Sequence, residues 1–252
     1  MIINHRYKYI FIEIPHTGST AISKELCENY GGERVLHRHA HFFELKRIFG
    51  EKIKSYFVFA GVRNPLDDAG SVYMKFLNNH RSNYTSEKKQ LKFGGYVTKR
   101  KLNKFKFVHD KSNDFSDFLF KFYRFPYTSN ICVSKKYCDY IIRFETIDEG
   151  FANVLELIGI KPVRPLPLLN KTENKKAFLD YYNKNNLDFS VSNFGPFMVE
   201  WGYSFPDAWS GSRTYGFDKI KYEILKKIRS IYCQYVQTGP LKKANFIREI
   251  IE

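Results

Sequence analysis

The chain has 252 residues, 43% of them hydrophobic and 17% aromatic, which suits one domain, or one domain with an added subdomain, and excludes a disordered or fibrous protein. Lys and Arg number 41 against 26 Asp and Glu, a net charge of +15, so an anionic partner is expected: nucleic acid, acidic glycan, nucleotide or membrane surface. The cysteines, Cys27, Cys132, Cys138 and Cys233, form no CxxC pair and no His/Cys group has zinc spacing, so no metal site is expected and a reducing compartment is indicated.

The first stretch, MIINHRYKYIFIEIP, carries charges inside its apolar run, unlike a signal peptide. No window reaches the roughly 20 apolar residues of a membrane helix, so a soluble, cytoplasmic protein is expected. Residues 7 to 15, YKYIFIEIP, read as a buried strand. A turn containing Thr17, Gly18, Ser19 and Thr20 leads into a helix with apolar positions at Ala21, Ile22, Leu26 and Tyr30, stopped by Gly31-Gly32. Residues 39 to 50 form a second amphipathic helix closed by Gly50, and 56 to 62 a second buried strand. RNPLDD then reads as a turn and DAGSVYMKFLNNH as a helix. This repeated strand-turn-helix order predicts an α/β fold, a parallel sheet with helices on its faces.

Residues 82 to 111 break the rhythm. Positions 88 to 109 hold eight Lys/Arg and no acid, and read as an inserted basic loop or hairpin turning at Gly94-Gly95. Residues 116 to 125 return to helix, 137 to 147 form a third strand and 149 to 160 its following helix. A proline-rich connection covers 161 to 173, and 174 to 200 are mostly helical. A basic amphipathic helix closes the chain from about 218 to 250, with Ile220, Ile224, Ile228 and Ile231 expected to pack on its own domain. The expected domains are 1–205 with the basic insertion, and 206–252 as a helical extension.

Two places carry chemistry. In IPHTGST a helix N-terminus supplies unpaired N–H groups, Gly18 permits a tight turn, and Ser19 and Thr20 add hydroxyls, which together can cradle a phosphate. An ordinary capped helix start would use the same residue types. It is no Walker A loop, because no lysine follows the glycine. In VRNPLDDAGSVY, Arg63 ends a strand at the carboxyl edge, where parallel sheets bind ligands, and Ser71 lies eight residues on. Pairing of Arg63 with Asp67 or Asp68 is the structural alternative.

Taken in order, these two loops resemble the cofactor loops of the sulfotransferases that use 3′-phosphoadenosine 5′-phosphosulfate (PAPS), most closely the carbohydrate-type branch. HRHAHFFELKRIFG, YIIRFETIDEGFANVLELIGI, LPLLNKTE and FMVEWGYSF are similar to further family segments, so the resemblance covers about residues 7 to 205. It implies a P-loop-like fold and transfer of a sulfuryl group from PAPS to a hydroxyl of a carbohydrate or glycan-like acceptor, acidic or neutral. The product nucleotide would be adenosine 3′,5′-bisphosphate. It also implies that His16, Thr17, Gly18, Ser19 and Thr20 bind the 5′-phosphosulfate, that Arg63 and Ser71 bind the 3′-phosphate, and that His39 is the general base. His37 and His41 flank His39 in alternation, and capping or solvated roles are the competing readings for all three.

The sequence departs from the family pattern in both loops. His16 stands where the family has a lysine and is assigned a catalytic role on the leaving oxygen. Asp68 stands where the family has a second arginine, and DAGS replaces RLVS. Two rival readings stay open: a nucleotide-binding protein without full activity, motivated by His16, and a nucleic-acid-binding protein, motivated by the charge and by Phe93, Tyr96, Phe105 and Phe107 among the lysines. Two ordered phosphate loops favour the nucleotide over nucleic acid. Arg143 and Glu145 read as a structural ion pair rather than as neighbours of the nucleotide, Asn170 and Lys171 as a polar turn rather than a closure over the cofactor, and Trp201, Tyr203 and Phe205 as core.

Overall fold

Tyr9, Ile10, Phe11 and Ile12 are at most 1% exposed, and this unbroken apolar run forms the middle strand of a five-stranded sheet. The protein is described here from a computed structural model covering residues 1–167, 169, 177–209 and 211–237. The strands are β1 (Ile2–Asn4), β2 (Tyr9–Ile12), β3 (Glu33–Arg34), β4 (Phe57–Val62) and β5 (Tyr140–Arg143), in the order β3-β1-β2-β4-β5. β2 and β4 are parallel, as are β4 and β5, with Ile10 opposite Val58 and Ala60 opposite Ile141.

The sequence predicted this parallel core and missed its edge. β1 runs antiparallel to both β2 and β3. Three residues and two residues are too short to show an alternating pattern, and Glu33 and Arg34 are exposed polar residues with no apolar signal.

The residues group into two compact units. The first comprises Met1–Asn64, Thr128–Asn170 and Glu223–Glu252; the second comprises Pro65–Tyr127 and Lys171–Tyr222. The sheet lies wholly in the first. Helices α1 (Ser19–Asn29) and α2 (Phe42–Phe49) belong to it. α1 sends Ile22 and Leu26 into a core shared with Tyr9, Phe11, Phe59 and Ile142.

The second unit begins with α3 (Pro65–Leu77), which starts earlier than expected. Pro65 opens it, because a first-turn residue needs no N–H donor and proline's fixed φ suits the position. The basic insertion is not a loop throughout. A tight turn at Gly94 (φ 83°) is followed by α4 (Lys99–Val108), with Thr98 Oγ1 accepting from Lys101 N at 3.3 Å. Phe105, Phe107 and Val108 pack into the second unit's core, so its lysines had masked a helical apolar spacing. Helix α5 (Phe115–Phe122) adds Phe115, Phe118 and Leu119 to the same core.

Back in the first unit lie the short α6 (Ile131–Ser134) and then α7 (Ile147–Leu157), which packs Phe151, Val154 and Leu155 against the sheet core containing Ile142. In the second unit, α8 (Leu187–Glu200) brings Val191, Phe194 and Met198 to its core, and Trp201 is buried. Tyr203 and Phe205 are partly buried against that core.

The last helix, α9 (Gly216–Ile231), corrects the expected isoleucine stripe. Ile220, Ile224 and Ile231 are exposed, and the buried residues of the helix are Asp218, Tyr222 and Leu225. The expected helix beyond residue 237, the Asn170-Lys171 turn and residues 171–176 lie outside the described residues. All four cysteines are free thiols.

Candidate active site

The site is built at the carboxyl ends of β2 and β4, side by side in the first unit. The chain leaves β2 through Glu13 and Ile14, passes Pro15 and turns sharply. His16 (φ 66°) and Gly18 (φ 73°) both take positive φ around Thr17. Such alternation aims successive N–H groups into one concavity, a nest for an anion. Gly18 is the N-cap of α1, no side chain caps the helix, and its first turn holds no acid. The first N–H groups therefore face outward with the positive end of the helix dipole.

Glycines set the close packing. A Cβ on Gly18 would lie 2.3 Å from Ile147 Cδ1. A Cβ on Gly61 of β4 would lie 2.7 Å from Thr17 Oγ1, so this glycine lets the loop sit down on the strand. Thr17 is buried and donates its hydroxyl to the Ile14 carbonyl at 3.0 Å, so its hydroxyl hydrogen serves the loop's own shape. Ser19 is buried, Thr20 half-buried and His16 exposed.

Arg63 follows β4 and joins the loop. Its Nη1 donates to the His16 carbonyl at 3.1 Å, and its guanidinium lies 4.1 Å from the centre of the Phe144 ring. The stacking holds the guanidinium plane in place. Next to it, the Asn64 N–H donates to Glu145 Oε1 at 2.7 Å, so Glu145 organises the backbone after β4. Ser71 lies on α3 in the second unit and is buried.

The three alternating histidines separate. His41 is the N-cap of α2, where a capping box with Glu44 is formed; it is buried and stacked on Phe43 with ring centres 5.1 Å apart. His37 is exposed, its Nδ1 3.9 Å from Glu44. His39 faces the loop after β2, with Nδ1 2.8 Å from the Glu13 carbonyl. A carbonyl only accepts, so Nδ1 carries the hydrogen and Nε2 holds the lone pair of the neutral ring. Burial pushes the His39 pKa below its ordinary value, and the nearby charges of Arg38 and His16 act in the same direction, against the bond to Glu13 and the Glu13 carboxylate. His39 is thus neutral near pH 7 and can accept a proton. Its φ of 65° is costly for a residue with a Cβ, and the bond to Glu13 holds it there.

Behind the loop, the buried Glu13 carboxylate takes hydrogen bonds from the Met1 ammonium, from Ser23 Oγ at 2.7 Å and from Arg34 Nη1 at 2.6 Å. Burial alone would raise its pKa; these bonds hold it below the ordinary carboxylate value. Sequence reasoning missed Glu13, and it missed Arg38, whose Nη2 donates to Thr20 Oγ1. The only sequence signal for Arg38 was its place between two candidate histidines. Among the described residues, no group of three or more His, Cys, Asp and Glu is placed to hold a metal, and no helix is long and apolar enough to cross a membrane.

A family model described as the sulfotransferase family matches residues 1–234. No curated protein and no solved structure matches the chain. The match takes in the whole of the sheet, the loop after β2 and the strand end at Arg63, and on that extent the chain belongs to the sulfotransferase family.

Proposed function

We propose that the protein transfers a sulfuryl group from PAPS to a hydroxyl of a carbohydrate or glycan-like acceptor. The observation that carries this reading is the contact of Arg63 with the His16 carbonyl, which joins two loops 47 positions apart in sequence into one cation-lined edge. Thr17, Gly18, Ser19 and Thr20 bind the 5′-phosphosulfate through the outward N–H groups and hydroxyls. Arg63 takes the 3′-phosphate. Ser71 is assigned to the same phosphate from its sequence segment alone.

His39 Nε2 accepts the proton of the acceptor hydroxyl as its oxygen bonds to sulfur. The bond between sulfur and the bridging oxygen breaks, and its electron pair stays on the nucleotide's phosphate. His16 and the helix N-terminus stabilise that charge, a contribution realised mainly in the transition state. The basic positions of 88–109 favour an anionic acceptor. Phe105 and Phe107 are partly buried against the core of the second unit, which leaves two of the four aromatics less exposed for stacking on nucleic-acid bases.

His16 in place of lysine favours one second reading, nucleotide binding without turnover. The test is transfer of labelled sulfate from PAPS to a panel of neutral and acidic oligosaccharides. Labelled acceptor supports the enzyme. Tight nucleotide binding with no labelled product from any acceptor supports the second reading.

A further inference from the structure

The sequence leaves the phosphate loop without its lysine, and the structure brings another cation to it. Arg38 sits in the tight turn from His37 to Ala40, closed by Ala40 N donating to the His37 carbonyl at 3.2 Å. The same turn is pinned to the base of the loop by His39 Nδ1 and the Glu13 carbonyl, 2.8 Å apart. So Arg38 is delivered by a fixed backbone, and its Nη2 donates to Thr20 Oγ1 in the first turn of α1.

This position is unfavourable for an empty loop. A helix N-terminus is the positive end of the dipole and repels cations. Here the first turn of α1 contains no acid, and the Glu13 carboxylate is already bonded to the Met1 ammonium, Ser23 and Arg34. An arginine cannot cap the helix either, since it has no acceptor. An anion at the loop would turn this repulsion into attraction.

Resting on the proposed function, we infer that Arg38 supplies the permanent positive charge at the 5′-phosphosulfate that the loop lacks at His16. A guanidinium has five N–H donors and the Thr20 contact uses one of them. By donating to Thr20 Oγ1 it also leaves the Thr20 hydroxyl hydrogen to point at the same phosphate. Arg38 further lies close enough to His39 to disfavour its protonated form, so one side chain serves both the leaving oxygen and the base.

The test measures binding of adenosine 3′,5′-bisphosphate and adenosine 3′-monophosphate, which differ only in the 5′-phosphate. Arg38→Ala is expected to weaken the bisphosphate by about tenfold or more and leave the monophosphate unchanged, as loss of a charge-assisted hydrogen bond requires. Arg38→Lys should restore most of the difference. Should the alanine variant not fold, Arg38→Gln carries the same comparison. In the transfer assay the rise of kcat/KM with pH should move to higher pH in the alanine variant, because His39 then loses a neighbouring cation. Equal weakening of both nucleotides, or no weakening, would overturn the role of Arg38 while leaving the phosphate loop in place. A wild-type protein that binds the two nucleotides equally would overturn the loop assignment itself, and this inference with it.

Discussion

Under the proposed function, His39 is the residue on which the chemistry turns. Its Nδ1 is committed to the Glu13 carbonyl, so Nε2 is the free base. His39→Ala is expected to lower the transfer rate by about a hundredfold or more, the usual contribution of a positioned base, with nucleotide affinity kept. Burial and then its charged neighbours lower its pKa, so the neutral, active ring persists below the pH at which an ordinary histidine protonates. The acid limb of the kcat/KM profile should therefore fall below about pH 6.5. A limb well above that value would mean that another group is the base. Gly18 can be tested in the same assays. Its φ of 73° is one that residues with a Cβ rarely adopt, and a Cβ there would have to displace Ile147 Cδ1. Gly18→Ala should cost about 1–3 kcal/mol of stability and impair nucleotide binding, read by thermal melts and titration.

At the scale of elements, the strands and helices around the loops were legible because their signals are local. β2 and β4 are apolar runs bounded by turn residues, and α1 begins at the Ser and Thr after a glycine. The short antiparallel strands β1 and β3 were not legible, since strands this short owe their form to the neighbours they pair with. The same holds within the site. The loop residues and Arg63 stood out by spacing, whereas Glu13 and Arg38 act through contacts that only the folded chain creates. α9 was read on the wrong side because isoleucine spacing indicates an amphipathic face but not whether anything covers it. Leu26 on α1 is fully buried against the sheet core, and Leu26→Ala should destabilise by about 2–5 kcal/mol, seen as a lower denaturant midpoint.

For the molecule as a whole, charge and chain organisation matter. A net charge of +15 draws any polyanion, but that attraction is screened. Oligonucleotide binding should collapse as salt is raised, while binding of a nucleotide held by shaped loops should decline less. Residues 206–222 belong to the second unit. Removing everything after 205 would delete Asp218, which accepts from Ser192 Oγ at 2.6 Å, and Tyr222, which donates to Glu200 at 2.6 Å. Such a truncated chain should melt at a clearly lower temperature than the full one.

The most direct measurement is calorimetric titration of the full chain with adenosine 3′,5′-bisphosphate beside 5′-AMP, repeated with Arg63→Ala. The account predicts a marked preference for the bisphosphate, lost in the variant, whose affinity for 5′-AMP should hardly change. Equal affinities in the wild-type protein, or equal losses for both nucleotides in the variant, would contradict the assignment of two phosphate sites to these two loops.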